Sequence, residues 1–193
     1  MKKLSAPSFA NFSEYDLIKA LILINEKPFG RNQLMRSLEL SEASTRSLMK
    51  KLLQAKFVRT TTKGVAINNA GKVYVNKIKS VLSGPIQINY GTFSIAFKVS
   101  NSASIINLGL EQRDSAIRGG AAGCLVLIYK NNKLILPGGE GIENVYLDIF
   151  NGIRENFKLS EGDVVIVAFA NKKRDAELGA WAAAKTLLVA KNI

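Results

Sequence analysis

Residues 41–68, SEASTRSLMKKLLQAKFVRTTTKGVAIN, decide how the front of this chain folds. Ser41 suits a helix N-cap, because its side-chain oxygen can accept from one of the first unpaired backbone N–H groups. Leu48, Leu52 and Ala55 follow at spacings of four and three, so they share one helical face, while Arg46, Lys50, Lys51 and Gln54 are left toward solvent. Residues 57–61 and 65–68 then read as two short strands around Thr62-Lys63-Gly64, with Gly64 permitting the turn. The stretch predicts a cationic amphipathic helix followed by a charged β-hairpin.

The flanking segments continue the pattern. Ser13 caps a first helix whose opening turn carries Glu14 and Asp16, which suit the positive end of the helix dipole; Leu17, Ile18, Leu21, Ile22 and Ile24 form its apolar face. Lys27-Pro28-Phe29-Gly30 breaks that helix, and residues 31–38 make a second through Leu34, Met35 and Leu38, with Glu39-Leu40 as the turn. Asn69-Ala70-Gly71-Lys72 opens a fourth helix running to about Leu82, and residues 1–12, lacking periodicity, read as a flexible or partly docked arm. Ser83-Gly84-Pro85 reads as a boundary, giving expected domains of 1–84 and 85–193.

Charge divides at the same place. Residues 1–84 hold 15 Lys/Arg against 5 Asp/Glu, and residues 85–193 hold 12 against 10, so +10 of the total +12 lies in the front part. A cationic surface coinciding with a helix-then-hairpin pattern suits a polyanion, since neutralising phosphates releases condensed counterions.

The second half alternates differently. Residues 92–99 read as a strand, 113–119 as a helix, 124–129 as a buried strand joined through Asn131-Asn132 to residues 133–136, 145–157 as a helix, 163–170 as a buried strand and 175–189 as a small-residue-rich helix. The order β-α-β-β-α-β-α predicts an α/β sandwich in an α+β protein, with a ferredoxin-like arrangement as one candidate.

Composition excludes several chemistries. The chain has no histidine, which removes Ser-His, Cys-His and His-ligated zinc sites. Cys124 is the single cysteine and sits in an apolar run, so it reads as an inert core thiol. No run approaches eighteen uncharged apolar residues. A cytoplasmic protein without membrane contact, metal or cofactor is expected, and catalysis is not.

The segment Leu40-Ser41-Glu42-Ala43-Ser44-Thr45-Arg46-Ser47-Leu48-Met49-Lys50-Lys51-Leu52, with Phe57-Val58-Arg59 and Asn69-Ala70-Gly71-Lys72, resembles the winged helix-turn-helix repressors of MarR-like prokaryotic type. The resemblance spans about residues 13–82. It implies a recognition helix at about 41–55, a wing at about 58–68 and a DNA-binding transcription regulator. Lys56 departs from the pattern, standing where a glycine usually ends that helix, so either the exit is distorted or a lysine takes the left-handed turn at some cost. The second half, with Gly109-Leu110-Glu111-Gln112-Arg113-Asp114 and Leu136-Pro137-Gly138-Gly139, is similar to an uncharacterised C-terminal domain of archaeal winged-helix proteins, which names no ligand.

On this reading Arg31, Ser44, Arg46, Ser47, Lys50, Lys51, Arg59 and Lys63 face double-stranded DNA. Arg46 is the candidate for a base edge, because a guanidinium can donate twice to guanine, and the lysines grip phosphates. Thr45 is expected in the core. Reading an operator of two half-sites implies a homodimer, with the second domain serving dimerisation or a small-molecule effector. Arg113, Asp114, Gly138, Gly139, Arg174 and Asp175 are the candidate effector residues, the two Arg-Asp pairs flanking one pocket; the plainer reading makes Asp114 and Asp175 helix caps. A competing reading is an enzyme or nucleotide-binding protein tethered to nucleic acid, using the 137–143 glycine loop with Glu140, Glu143 and Asp148; the loop lacks the Lys-Ser/Thr of a phosphate-binding P-loop. A third reading is an adaptor whose basic face contacts protein or RNA.

Overall fold

Ser13 starts the first helix by exchanging bonds with Asp16: the Asp16 N–H donates to Ser13 Oγ at 3.2 Å and the Ser13 N–H donates to Asp16 Oδ2 at 2.7 Å. The computed structural model describes residues 11–139 and 146–193. The chain divides into two units, Met1–Ile78 and Lys79–Ile193.

The first unit runs α1 (Glu14–Glu26), α2 (Arg31–Leu38), α3 (Glu42–Gln54), β1 (Val58–Thr61), β2 (Gly64–Ile67) and α4 (Asn69–Lys79). Its core gathers Leu17 and Leu21 of α1, Leu34 and Leu38 of α2, and Leu48 and Leu52 of α3 with Phe57, Val65 and Val75. Burying each such side chain stabilises the fold by about 2 kcal/mol before chain entropy is counted. The hairpin pairs Val58 with Ile67 through Thr61 with Gly64. Its second strand is also held from the other side, where Phe29 and Val65 exchange backbone hydrogen bonds of 3.0 and 2.9 Å. Gly64 is required there: at φ +111° any Cβ would run into the Phe29 carbonyl. Lys56 takes the left-handed turn expected of a glycine, at φ +59°, and Asn68 Nδ2 donates to its carbonyl at 2.7 Å.

The second unit runs β3 (Leu82–Ile88), β4 (Phe93–Val99), α5 (Leu110–Arg118), β5 (Gly123–Lys130), β6 (Lys133–Ile135), α6 (Leu147–Asn156), β7 (Val164–Ala170) and α7 (Lys173–Ala190). The fold class is mixed α+β, with seven α-helices among the described residues and an open five-stranded sheet ordered β3-β4-β7-β5-β6, every pairing antiparallel. Helices cover both faces. Ile149, Ile153 and Phe157 of the α6 side meet Ala96, Leu127, Val165 and Val167, whereas α5 and α7 pack on the opposite face, where Trp181 meets Phe97 edge-on at 6.3 Å. Burial on both faces explains why β7, VVIVAFA, is an unbroken apolar run rather than an alternating one.

Several expectations change. The fourth helix stops at Lys79, and Ser83-Gly84-Pro85 lies inside β3 instead of forming a linker. A proline is tolerated because β3 is an edge strand with a register irregularity between Ser83 and Ile86, and Gly84 at φ +117° lies where a Cβ would come within 2.7 Å of the Ala96 carbonyl oxygen. The order is therefore β-β-α-β-β-α-β-α. Nor is the sheet ferredoxin-like: that arrangement would seat the first and third strands of the β4, β5, β6, β7 set at the centre, whereas here β7 and β5 lie there. Of the expected N-terminal arm, residues 1–10 lie outside the described residues, and Phe12 is buried in the first core.

Candidate nucleic-acid interface

Two faces separate cleanly on α3. Ser44, Thr45, Leu48 and Leu52 are buried, whereas Ala43, Arg46, Ser47, Lys50, Leu53 and Gln54 are exposed, a solvent stripe at helical spacing. Ser41 begins it, its Oγ accepting from the Ser44 N–H at 3.1 Å. Thr45 is fully buried and donates to the Ser41 carbonyl at 2.9 Å. Ser44 departs from its expected role: only 5% exposed, with its hydroxyl 2.8 Å from that of Ser41, it belongs to the capped first turn, one position off the solvent stripe. Lys51 is half-buried at the edge of the stripe.

Arg31, at the start of α2, joins Arg46, Met49, Lys50 and Leu53 along a groove of about 580 Å³. Its rim is cationic and its floor partly apolar. Glu42 ties the rim together, 3.1 Å from Arg46 Nη2 and 3.4 Å from Arg31 Nη2. All three side chains are exposed, so the contacts are worth well under about 1 kcal/mol each and yield readily to an incoming anion. Glu42 has no place among the expected contacts, although a Glu followed four residues later by an Arg on one helix signals the pair.

On the hairpin, Arg59 and Lys63 are exposed. Arg59 also borders a second groove of about 490 Å³ with Asn68, Asn69 and Lys72. Lys72 was not among the expected contacts; its place directly after the hairpin, in a helix start the sequence already marks, is the signal for it.

The candidate effector residues do not gather. α5 and α7 run antiparallel, with Gln112 Nε2 donating to Thr186 Oγ1 at 2.9 Å near one end and Gly120 facing Asp175 near the other. Thr186 and Asp175 are eleven residues apart on α7, roughly 16 Å at the helical rise. The pairs Arg113-Asp114 and Arg174-Asp175 therefore sit toward opposite ends and cannot flank one pocket. Asp114 lies within α5 and pairs with Arg113 at 3.6 Å, while Gly109 occupies the N-cap, and Asp175 lies in the first turn of α7 behind Lys172, so neither aspartate is a cap. The small residues instead serve packing: Gly179 lets α7 approach Ala116 and Ala121. Gly138, at φ +73°, and Gly139 form a turn after β6. Glu140, Gly141, Glu143 and Val145 lie outside the described residues, and Asp148 is exposed in the first turn of α6.

Residues 90–187 match the family described as "Domain of unknown function (DUF4443)". The chain belongs to this DUF4443 family. The DUF4443 region falls within the second unit, from just before β4 into α7. Along nearly its whole length the chain is also similar to the solved structure titled "Hypothetical protein PH0730 from Pyrococcus horikoshii OT3", an archaeal protein, at 28% identity and a TM-score of 0.78, covering 95% of this chain and 96% of that one. No curated protein matches the chain. Among the described residues, no helix is long and apolar enough to cross a membrane.

Proposed function

We propose that the chain is a DNA-binding transcription regulator whose first unit is a winged helix of MarR-like type, α3 being the recognition helix and β1–β2 the wing. One observation carries the reading: the solvent stripe of α3, on which Ser47 is exposed, has Arg46 and Lys50 beside Arg31, and the hairpin that follows presents Arg59 and Lys63. An α-helix fits the major groove, and a short hairpin reaches adjacent phosphates or the minor groove. The Phe29–Val65 bridge supports it, because a hairpin fixed to the helical core can act as a rigid arm. The front-loaded charge supports it through counterion release. In this reading Ser44 organises the helix start and does not touch DNA, whereas Lys72 extends the phosphate-binding set. The second unit joins two copies so that two half-sites are read together.

The test is fluorescence anisotropy on duplexes selected from genomic fragments, across a salt series. Arg46→Ala is expected to lose about 1–3 kcal/mol of preference for the selected sequence, while Lys50→Ala weakens every duplex alike and reduces the salt slope by about one. Absence of salt-dependent duplex binding, or identical behaviour of all variants, overturns the proposal.

A further inference from the structure

Helix α5 carries a second face that no element among the described residues covers. Gln112 and Ala116 are its buried positions. On the other side, Leu110, Arg113, Asp114 and Ile117 are each about half exposed, at 49%, 53%, 54% and 49%. Their spacing of three, one and three puts them in a single stripe. Read along the helix, the stripe is apolar, positive, negative, apolar.

That sequence of chemistries is complementary to its own reverse. We infer that α5 is a homodimer contact, in which a second copy of the chain lays its α5 antiparallel on the first across a two-fold axis passing between Arg113 and Asp114. In this register Leu110 meets Ile117 of the other copy, Arg113 meets Asp114, and each contact recurs once by symmetry, as an isologous interface requires. Charge complementarity favours a second copy over an unrelated partner. Within one chain Arg113 and Asp114 have each other at 3.6 Å, and the two-fold turns that exposed pair into a four-membered alternating cluster. Antiparallel helices also oppose their dipoles. Residues 85–193 carry only +2 of the +12 charge, so the part of the chain that bears this contact adds little repulsion of its own between two copies.

The contact is modest in size. Nine residues of helix span about 14 Å, short of the ~800 Å² per partner of a standard interface. A concentration-dependent dimer follows.

The experiment is sedimentation velocity on the full chain without nucleic acid, so its failure leaves the DNA reading standing and failure of DNA binding leaves this one standing. The wild-type chain is expected to dimerise reversibly. Arg113→Asp alone sets like charges opposite each other and raises the dissociation constant about tenfold or more. Adding Asp114→Arg exchanges the two charges, keeps the register and restores the dimer. Under mild oxidation, a chain carrying both Leu110→Cys and Ile117→Cys is expected to close intermolecular disulfides, and neither single variant does. Circular dichroism establishes that each variant is folded. A monomer at all concentrations, a dimer indifferent to Arg113→Asp, or no rescue by the exchanged pair overturns the proposal.

Discussion

Lys56 carries a cost that its surroundings impose. It must take φ +59° so that the chain can leave α3 and enter β1, with the Lys56 N–H donating to the Leu53 carbonyl at 2.9 Å and the Phe57 N–H to that of Leu52 at 3.2 Å. A non-glycine residue in this conformation costs about 1–2 kcal/mol, and replacing it by glycine returns about 0.4–1 kcal/mol to the unfolded chain as entropy. The first term is larger. Lys56→Gly is therefore expected to stabilise the first unit by about 0.5–1 kcal/mol, read as a higher denaturant midpoint at unchanged slope. A lower midpoint would mean that the lysine side chain contributes more than its backbone loses. Lys98 and Asp163 show the opposite situation: Asp163 is almost fully buried, accepts from Lys98 Nζ at 3.2 Å and from the Ser160 and Asn101 N–H groups at 2.9 and 3.0 Å, and so anchors two loops at once.

Helix α7 shows how small side chains set the distance between elements. A Cβ at Gly179 would lie 2.5 Å from Ala121 Cβ and 2.9 Å from the Ala116 carbonyl oxygen, so α5 and the turn after it would have to move. Overpacking of this kind costs about 1–3 kcal/mol, which exceeds the ~1 kcal/mol of helix propensity gained by Gly→Ala. Gly179→Ala is expected to lower the melting temperature. Gly152→Ala on α6 is the contrast: the atoms nearest its Cβ would be those of the Ile88 side chain, at 3.1 Å, which can give, so the melting temperature is expected to hold or rise. If both variants melt alike, close helix approach is not what Gly179 provides. Most elements were legible in this way. Periodicity located α1 to α3 and the hairpin because each has one dry face, and β5 and β7 because both their faces are dry. β3 was not legible, since Ser-Gly-Pro signals a chain break and only pairing with β4 turns it into an edge strand. The solvent stripe of α3 was legible to within one residue, Ser44, whose burial depends on the Ser41 cap. The Arg-Asp pairs misled because strand-to-helix likeness says nothing about antiparallel packing, which carries them apart.

Tyr74 in the first unit and Cys124 in the second each hold an acidic hydrogen well above its ordinary range, and both bear on the response of the molecule to alkali. In the first unit Tyr74 packs against Phe57 with ring centroids 5.0 Å apart, and burial, reinforced by the nearby negative charge of Glu14, raises its pKa from 10.0 to about 12. In the second unit burial raises the Cys124 thiol from 9.0 to about 12, against a smaller opposing effect of Arg113. Both groups are neutral when protonated, so above their unfolded values the native state binds more protons than the unfolded chain. Stability therefore falls as pH rises. The contribution is complete below pH 9, begins to erode for Cys124 above 9.0 and for Tyr74 above 10.0, and is lost by about 12. Thermal melts from pH 8 to 12 are expected to show a decline that Cys124→Ala shifts to higher onset and Tyr74→Phe makes shallower above pH 10. The thiol should also resist alkylation at pH 8 until denaturant is added. Rapid labelling of the folded chain, or pH profiles unchanged by either substitution, would place these groups in water rather than in the two cores.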